Sequence, residues 1–372
     1  MSNNIQQTEM DVYLQRKALQ LIKIEPPVHD FFHKTFFSKT VKHNTENVEM
    51  DIKKGKRLLA PFVSPEHDGV LVEKSGYFTI NTSPAYVKPL MKIRPRDTIF
   101  RAAGDNPYQA VNNLQRLEAI TGECVAELRQ MAARLEEKMC VDAVLNGKVI
   151  AKGYGINAYA DFRYTDYNKR VLAGPSRWDN YQKNADGSYQ SDPIKDLENW
   201  MLEYKMTSGH TVTHVVMEHE VAQDFIRHPV NKENLNILNY RMGSVEPKKH
   251  ENGVSSWGEF PTSQGPIEVI SYNEWYFKPT LSATGQIQYD AEGEVYGENI
   301  PLLPKGVVIL ASTQARSAFH YGLIQNMHCM KPAHEFIHIW TDGSGKARWI
   351  QYEKAPMPNL YEPGAYIVAH VK

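Results

Sequence analysis

Cysteine is scarce in this chain: three residues in 372, Cys124, Cys140 and Cys329, exclude a disulfide framework. Cys124 and Cys140 fall in one helical stretch, ~24 Å apart along its axis, too far to bridge within a chain. All three therefore read as reduced, buried thiols. An excess of charge of one sign is also missing, with 42 Lys and Arg against 43 Asp and Glu. That excludes a sequence-reading nucleic-acid binder, which needs a basic domain or stripe, while leaving room for one basic face. Long apolar runs are absent too. The longest, Val307 to Ala311, is far short of the ~20 residues of a membrane helix, and no charged-then-apolar signal opens the chain. A soluble chain made in the cytosol, with no membrane partner, is the expectation. Internal repeats and low-complexity tracts are missing, and a hydrophobic content of 42% excludes global disorder. The length accommodates two or three structural units.

What is present is a helical pattern of about forty residues from Asn106 to Gly147. Asn106 suits an N-cap, Pro107 the first helical position, and Asn146-Gly147 the stop. At ~1.5 Å per residue the helix reaches roughly 60 Å, more than a compact domain usually spans. Its apolar stripe is predicted at Leu114, Leu117, Cys124, Leu128, Met131, Leu135 and Met139, with Arg116, Glu123, Arg129, Glu136 and Lys138 on the solvent side. Thr121-Gly122 is the natural bend. Before it, residues 8 to 23 read as a short amphipathic helix. Phe31, Phe32, Phe36 and Phe37 then form a cluster worth ~1.5–3 kcal/mol per ring if buried, on a surface that another subunit could supply. Strand-like segments at Arg57 to Val63, Val70 to Lys74, Tyr77 to Ile80 and Tyr86 to Ile93, broken by prolines, predict a long exposed hairpin.

After Gly147, Lys148 to Gly153 and Tyr159 to Tyr164 read as a hairpin, and residues 174 to 193 as a surface loop and boundary. From 194 the pattern is mixed α/β. Helices are predicted at Ile194 to Met206 and Glu220 to His228, and strands at Thr211 to Met217, Ile267 to Ser271 and Val307 to Ala311. Residues 279 to 300 read as a loop insertion. Strands Phe336 to Trp340 and Ala347 to Tyr352 flank the Asp342-Gly343-Ser344-Gly345 turn, and Ala365 to Val371 closes the chain.

The most conspicuous motif is His334-Glu335-Phe336-Ile337-His338, a literal H-E-x-x-H. On a helix its histidines share a face and can chelate zinc, with the glutamate as base. Pro332 before it and the β-rich Phe-Ile-His-Ile-Trp run predict a strand, where residues four apart are ~13 Å apart and cannot hold one metal. His320, His328 and Cys329 are close enough in sequence for a composite soft-metal site, but no paired ligand motif supports one, and buried or interface side chains are the plainer reading. Gly343-Ser344-Gly345-Lys346 lacks the spacing of a phosphate-binding loop. Neither a serine elbow nor a paired CxxC occurs. No catalytic, cofactor-binding or metal residue is assigned, and no cofactor or enzymatic activity is expected. The basic runs Lys53, Lys54, Lys56, Arg57 and Arg94, Arg96, Arg101 read as solvated strand edges, with contact to an acidic neighbour or DNA phosphates as the functional alternative.

Four stretches, in order, carry a resemblance. They are Thr82-Ser83-Pro84-Ala85-Tyr86-Val87-Lys88-Pro89, Val144-Leu145-Asn146-Gly147-Lys148, Val308 to Arg316 running on to Tyr321-Gly322-Leu323-Ile324-Gln325, and Ala355-Pro356-Met357-Pro358. With them the sequence resembles the lambda-type phage major capsid proteins, a branch of the Hong Kong 97 phage capsid fold. The resemblance implies an α+β chain with an N-terminal arm (1–50), an extended β-hairpin called the E-loop (51–98), a peripheral or P-domain with a long spine helix (99–190, completed by 335–372) and a mixed α/β axial or A-domain (191–334). It implies a major capsid protein of a tailed bacteriophage, self-assembling as hexamers and pentamers into an icosahedral shell around packaged double-stranded DNA. Implied partners are other copies of the chain, a decoration protein at the arm and E-loop, a scaffold protein during assembly, a portal at one vertex and DNA held non-specifically on the inner face. The implied location is the virion, after assembly in the host cytoplasm. The alternatives are a zinc metallopeptidase using His334, Glu335 and His338, and a phage tail-tube or ring protein.

Overall fold

The helical pattern becomes one unbroken helix, and the sheets are arranged around it. The computed structural model describes residues 29–53, 58–74, 76–99, 113–153, 156–232, 248–249, 254–282, 287–290, 295–329 and 332–372. In chain order come helix α1 (Phe31–Phe36), strands β1 (Thr40–Lys42), β2 (Val48–Lys53), β3 (Tyr77–Thr82) and β4 (Leu90–Ile93), then helices α2 (Pro95–Ile99) and α3 (Asn113–Asn146). Strands β5 (Lys148–Gly153), β6 (Ile156–Asp161) and β7 (Lys169–Val171), helix α4 (Pro193–Ser208), β8 (His214–Glu218) and helix α5 (His219–Arg227) follow. The remaining strands are β9 (Lys248–Lys249), β10 (Ser255–Thr262), β11 (Gly265–Tyr272), β12 (Trp275–Pro279), β13 (Gly297–Pro301), β14 (Val307–Ala311), β15 (Ser317–Tyr321), β16 (Phe336–Thr341), β17 (Arg348–Glu353), β18 (Pro356–Leu360) and β19 (Tyr366–His370).

A mixed sheet of order β7-β19-β14-β8-β11-β10-β9 forms the larger core. Its central strands are continuous apolar runs buried on both faces, which is why Val307–Ala311 reads as uniformly hydrophobic. A second, antiparallel sheet β16-β17-β4 lies against α3. There Val125, Leu128 and Ala132 of the helix meet Ile93, Ile337, Ile339, Ile350 and Tyr352. A third sheet, β1-β15-β18, carries Pro356 and Pro358 on its edge strand, where a missing N–H leaves no ladder bond unmade.

α3 ends where the sequence predicts. Gly147 has φ +64°, its N–H bonds to the Ala143 carbonyl at 3.0 Å, and a Cβ there would lie 2.2 Å from the Tyr164 ring. The described helix has 34 residues, ~51 Å, and the predicted cap at Asn106-Pro107 lies outside the described residues. So does the amphipathic helix expected at 8 to 23.

Several expectations need correction. The stripe on α3 holds at Leu128 and Met139, but Leu114, Met131 and Leu135 are exposed, while Glu136, expected in solvent, is buried together with Glu137. The physical reason is that α3 packs on β16-β17-β4 at its middle and is enclosed on several sides at its C-terminal half, so no single stripe serves its whole length. The phenylalanine cluster is buried within this chain, not on another subunit: Phe31 and Phe32 pack against Tyr272, and Phe36 against Tyr366. The strands expected at 57–63 and 70–74 are not formed over the described part, 58–63 and 70–74, because no ladder partner lies beside them among the described residues; the paired part of the hairpin is β2 with β3. Of the stretch 279 to 300, read as a loop insertion, the described parts continue the β12-β13 hairpin: residues 297–300 lie in β13, Leu281 bridges Ile287 and Tyr289 bridges Val295. The 174–193 loop is mostly exposed yet anchored by Trp178, whose N–H bonds to the Val371 carbonyl at 3.0 Å and whose indole N–H bonds to Asp196 at 3.0 Å. β19 pairs with β14 and β7 at one side of the large sheet.

Candidate functional site: the hairpin root and its exposed tip

Three of the sequence stretches singled out above converge at one place. Val87 and Lys354 exchange backbone hydrogen bonds at 2.7 and 3.0 Å, and the Gly322 N–H bonds to the Ala355 carbonyl at 2.9 Å. Gly322 packs so closely that a Cβ there would be 2.9 Å from Pro84 Cγ, which is why glycine stands at the crossing. The Tyr86 hydroxyl donates to Glu353 and accepts from the Gln325 N–H at 3.1 Å. Glu353, fully buried, also accepts from Asn326 Nδ2 at 2.7 Å and from Gln351, with Lys88 Nζ 3.6 Å away. Burial and then the Glu353 hydrogen bond push the Tyr86 phenol well up, so it stays a donor. The return strand of the hairpin is thus locked to β17 and β18.

Beside this root, α3 carries two buried carboxylates that sequence periodicity placed differently or left unnoticed. Glu136 pairs with Lys354 Nζ at 2.7 Å; burial raises its pKa, opposed by that ammonium and by the Tyr321 hydroxyl. Glu137 accepts from the backbone N–H groups of Phe32 (2.8 Å) and His33 (3.0 Å) and from the Tyr272 hydroxyl (3.0 Å). It therefore satisfies the open first turn of α1, which has no cap of its own. Burial pushes its carboxyl up to about 7, despite those three donors. A buried carboxylate has no sequence signature apart from the partners the fold brings to it.

The tip is the opposite of the root. Leu59 and Leu71 are 95% and 90% exposed, Phe62 is fully exposed, and Leu58, Val63, Val70, Val72 and Tyr77 are exposed as well. Apolar area of this size on one loop marks a contact site.

The H-E-x-x-H residues are dispersed by the fold. Phe336–Thr341 is a strand, as expected; His334 precedes it in a loop, while His338 stacks on the outer sheet face between His328 and Trp340. Glu335 is committed to Arg129 of α3 through both carboxylate oxygens and accepts from the Tyr352 hydroxyl at 2.8 Å. Burial disfavours its charge, but Arg129 and Tyr352 outweigh burial and hold the carboxyl below its usual range. The composite set is also split. His320 faces His43 (2.7 Å between ring nitrogens) and the Tyr361 hydroxyl (2.9 Å), with burial first and then His43 pushing it down to about 4, while His328 lies on His338. Among the described residues no three His, Cys, Asp or Glu are grouped to hold a metal ion. The 343–346 segment is the β16-β17 turn, closed by Asp342 N–H to the Ala347 carbonyl at 2.8 Å, with Gly345 at φ +69°. Arg94 and Arg96 are exposed at the end of β4 and in α2, whereas Lys54, Lys56, Arg57 and Arg101 lie outside the described residues. Among the described residues no helix is long and apolar enough to cross a membrane.

Comparison with known proteins gives a consistent result. Residues 16–371 match the family model described as phage major capsid protein E. The major capsid protein of Escherichia phage lambda is 23% identical over 354 residues, covering 94% of each chain. That of Enterobacteria phage P21 is 24% identical over 371 residues, 98% of this chain and all of the relative. In fold, the crystal structure of a capsid protein from a prophage of E. coli CFT073 superposes with a TM-score of 0.64 at 21% identity, covering 98% of this chain and 99% of the other.

Proposed function

The chain belongs to the phage major capsid protein E family, with the Hong Kong 97 phage capsid fold, and from that membership we propose how it builds its shell. It is a structural capsid subunit of lambda-like phages that assembles with its own copies. The finer reading is that hexamers and pentamers close an icosahedral shell around double-stranded DNA. A decoration protein at the arm and E-loop, a scaffold during assembly and a portal at one vertex complete the set, with assembly in the host cytoplasm. The units of that subunit are an arm (1–50), an E-loop (51–98), a P-domain with the spine helix α3 (99–190, completed by 335–372) and a mixed α/β A-domain (191–334).

The observation that carries this reading is the contrast at the hairpin: a root fixed by buried charges and a tip of exposed Leu58, Leu59, Phe62, Val70, Leu71 and Val72. A monomeric protein would leave that surface to aggregate, whereas closed symmetry covers it once per copy. Negative-stain microscopy of the purified chain is the test. Closed shells are expected; tubes or isolated rings would favour the tail-protein alternative. The metallopeptidase reading would be revived by equimolar zinc that is lost in His334→Ala, against the commitment of Glu335 to Arg129.

A further inference from the structure

The connection between the buried phenylalanine cluster and the hairpin crosses the third sheet on a narrow footing. Phe37 and Val48 are fully buried, and between them the chain pairs with the body through β1, a three-residue edge strand parallel to β15. Its backbone bonds include the Phe319 N–H to the Lys39 carbonyl at 2.7 Å and the His43 N–H to the Tyr321 carbonyl at 2.8 Å. Thr40 and Lys42 are exposed and Val41 is half-buried, so β1 hides little apolar area. A pair of histidines covers the footing. His43 stacks on the buried His320 of β15, with ring centroids 4.9 Å and planes 13° apart, and His43 Nε2 lies 2.7 Å from His320 Nδ1. On the β1 side the charged groups facing the His320 ring are His43 and Lys39. On the β18 side stands the neutral Tyr361, whose hydroxyl is 2.9 Å from His320 Nε2 and is hydrogen-bonded to Asn359. No carboxylate is among these groups. His33 and His334 rest on Phe319 and Tyr321, whose side chains alternate to the opposite face of the strand.

Two ring nitrogens at this distance share one hydrogen, so one of them must be bare. The neutral pair meets that condition, and so does the pair with one added proton on an outward nitrogen. A second proton sets two N–H groups head to head and two like charges in contact, with the Lys39 ammonium adding to the repulsion. We propose that His43 and His320 form an acid-sensitive latch on residues 38–45: the second proton opens this segment from β15 while both of its ends and the sheets stay in place. The device lies within one chain and stands whether or not a shell forms. Burial first, then His43 and Lys39, hold His320 down at about 4, against the ordinary 6.5 that it regains once His43 lifts away. Below pH 6.5 the open segment takes up a proton that the closed one refuses. Opening therefore gains about tenfold per pH unit down to about pH 4, where the closed pair takes the proton too. His43, itself lowered by burial, acts in the same direction. The phenylalanine cluster before the segment and β2 after it keep both ends attached, so acid gives slack between them without unfolding either.

Backbone hydrogen exchange of the unassembled full-length chain, corrected for the intrinsic pH dependence of exchange, reads the latch. Opening of residues 38–45 should rise about a hundredfold from pH 6.5 to 4.5 while β14 stays protected. His320→Gln keeps a donor and an acceptor at that position but takes up no proton in this range, so its 38–45 segment should open to about the same extent at both pH values. Glu137 and His33, which lie at α1 just upstream, titrate in both chains and cancel in the comparison. An equal rise in the variant refutes the latch, as does loss of β14 protection at the same pH, which would mean global unfolding. Where the variant does not fold, exchange at the ring C2 carbon of His320 in the wild-type chain decides. A midpoint well below 6.5 supports the latch, and a midpoint at 6.5 overturns it.

Discussion

Replacing Glu137 with glutamine should change how the stability of the subunit depends on pH. Glu137 is fully buried and titrates near 7 in the folded chain, against an ordinary value of 4.5. A carboxyl raised in this way favours folding while it is protonated in both states, below about pH 4.5. That stability is lost as pH rises through 7, because the folded chain must ionise a group away from water. The difference of two and a half pH units corresponds to about 3 kcal/mol at 1.36 kcal/mol per unit. Glu137→Gln keeps the Tyr272 and one backbone hydrogen bond and brings an amide N–H towards the second donor, a fixed cost at every pH. The slope, and not the offset, is therefore diagnostic. Urea unfolding of the unassembled subunit at pH 4.5, 5.5, 6.5 and 8 measures it. Wild-type stability minus variant stability should fall by about 3 kcal/mol across that range and level off above pH 8. The neighbouring groups, Asp30, His33, Tyr272 and Cys140, are common to both chains and cancel in the difference. A difference constant to within about 0.5 kcal/mol would refute the buried-carboxylate account.

Lys354→Ala strands Glu136 without its ammonium and should cost about 3–5 kcal/mol at pH 8 and less as pH falls, because burial favours the protonated carboxyl; denaturant midpoints at two pH values read it. Gly322→Ala drives a Cβ towards Pro84 and should lower stability by about 1–3 kcal/mol and lower the melting temperature, with a partial return when combined with Pro84→Ala. Gly122→Ala should stabilise α3 by about 1 kcal/mol, and shells built from it should mature more slowly if the Thr121-Gly122 position is a bend used between shell states. In this structure the helix is continuous there, with the Thr121 hydroxyl bonded to the Leu117 carbonyl at 2.6 Å, a contact that favours bending; identical maturation of the variant would end that idea.

The elements readable from the sequence are those whose signals are local. Val307–Ala311 matches residue for residue, because a strand buried on both faces is apolar throughout. The Gly147 stop, the 342–345 turn and the strand character of the H-E-x-x-H segment follow from turn chemistry and β-rich composition. The failures fall where partners distant in sequence decide. Glu136 and Glu137 look like solvated helix residues until Lys354, Tyr321, Tyr272 and the start of α1 arrive around them. Strand β18 contains two prolines and is absent from the predicted strands, yet an edge position makes them harmless. Residues 58–63 and 70–74 have strand composition but no ladder partner among the described residues.

That last failure has a physical consequence. β propensity describes how well a residue suits a pleated, half-buried surface, so a segment with strand composition and no partner is specified for a surface outside the chain. The β12-β13 hairpin likewise leaves Trp275 and Phe277 exposed. Both segments spring from anchored roots. Tyr86, Glu353 and the Val87-Lys354 bridge hold one; the β12-β13 ladder and the Leu302 N–H bond to the Glu274 carbonyl, at 2.8 Å, hold the other. Anchoring the roots with buried polar contacts limits the directions in which each tip can point before a neighbour arrives. The ordering entropy left to be lost on contact is correspondingly smaller. In a closed shell that saving recurs at every subunit. Loosening a root, as in Lys354→Ala or Gly322→Ala, should therefore weaken assembly by more than the stability lost within the isolated chain.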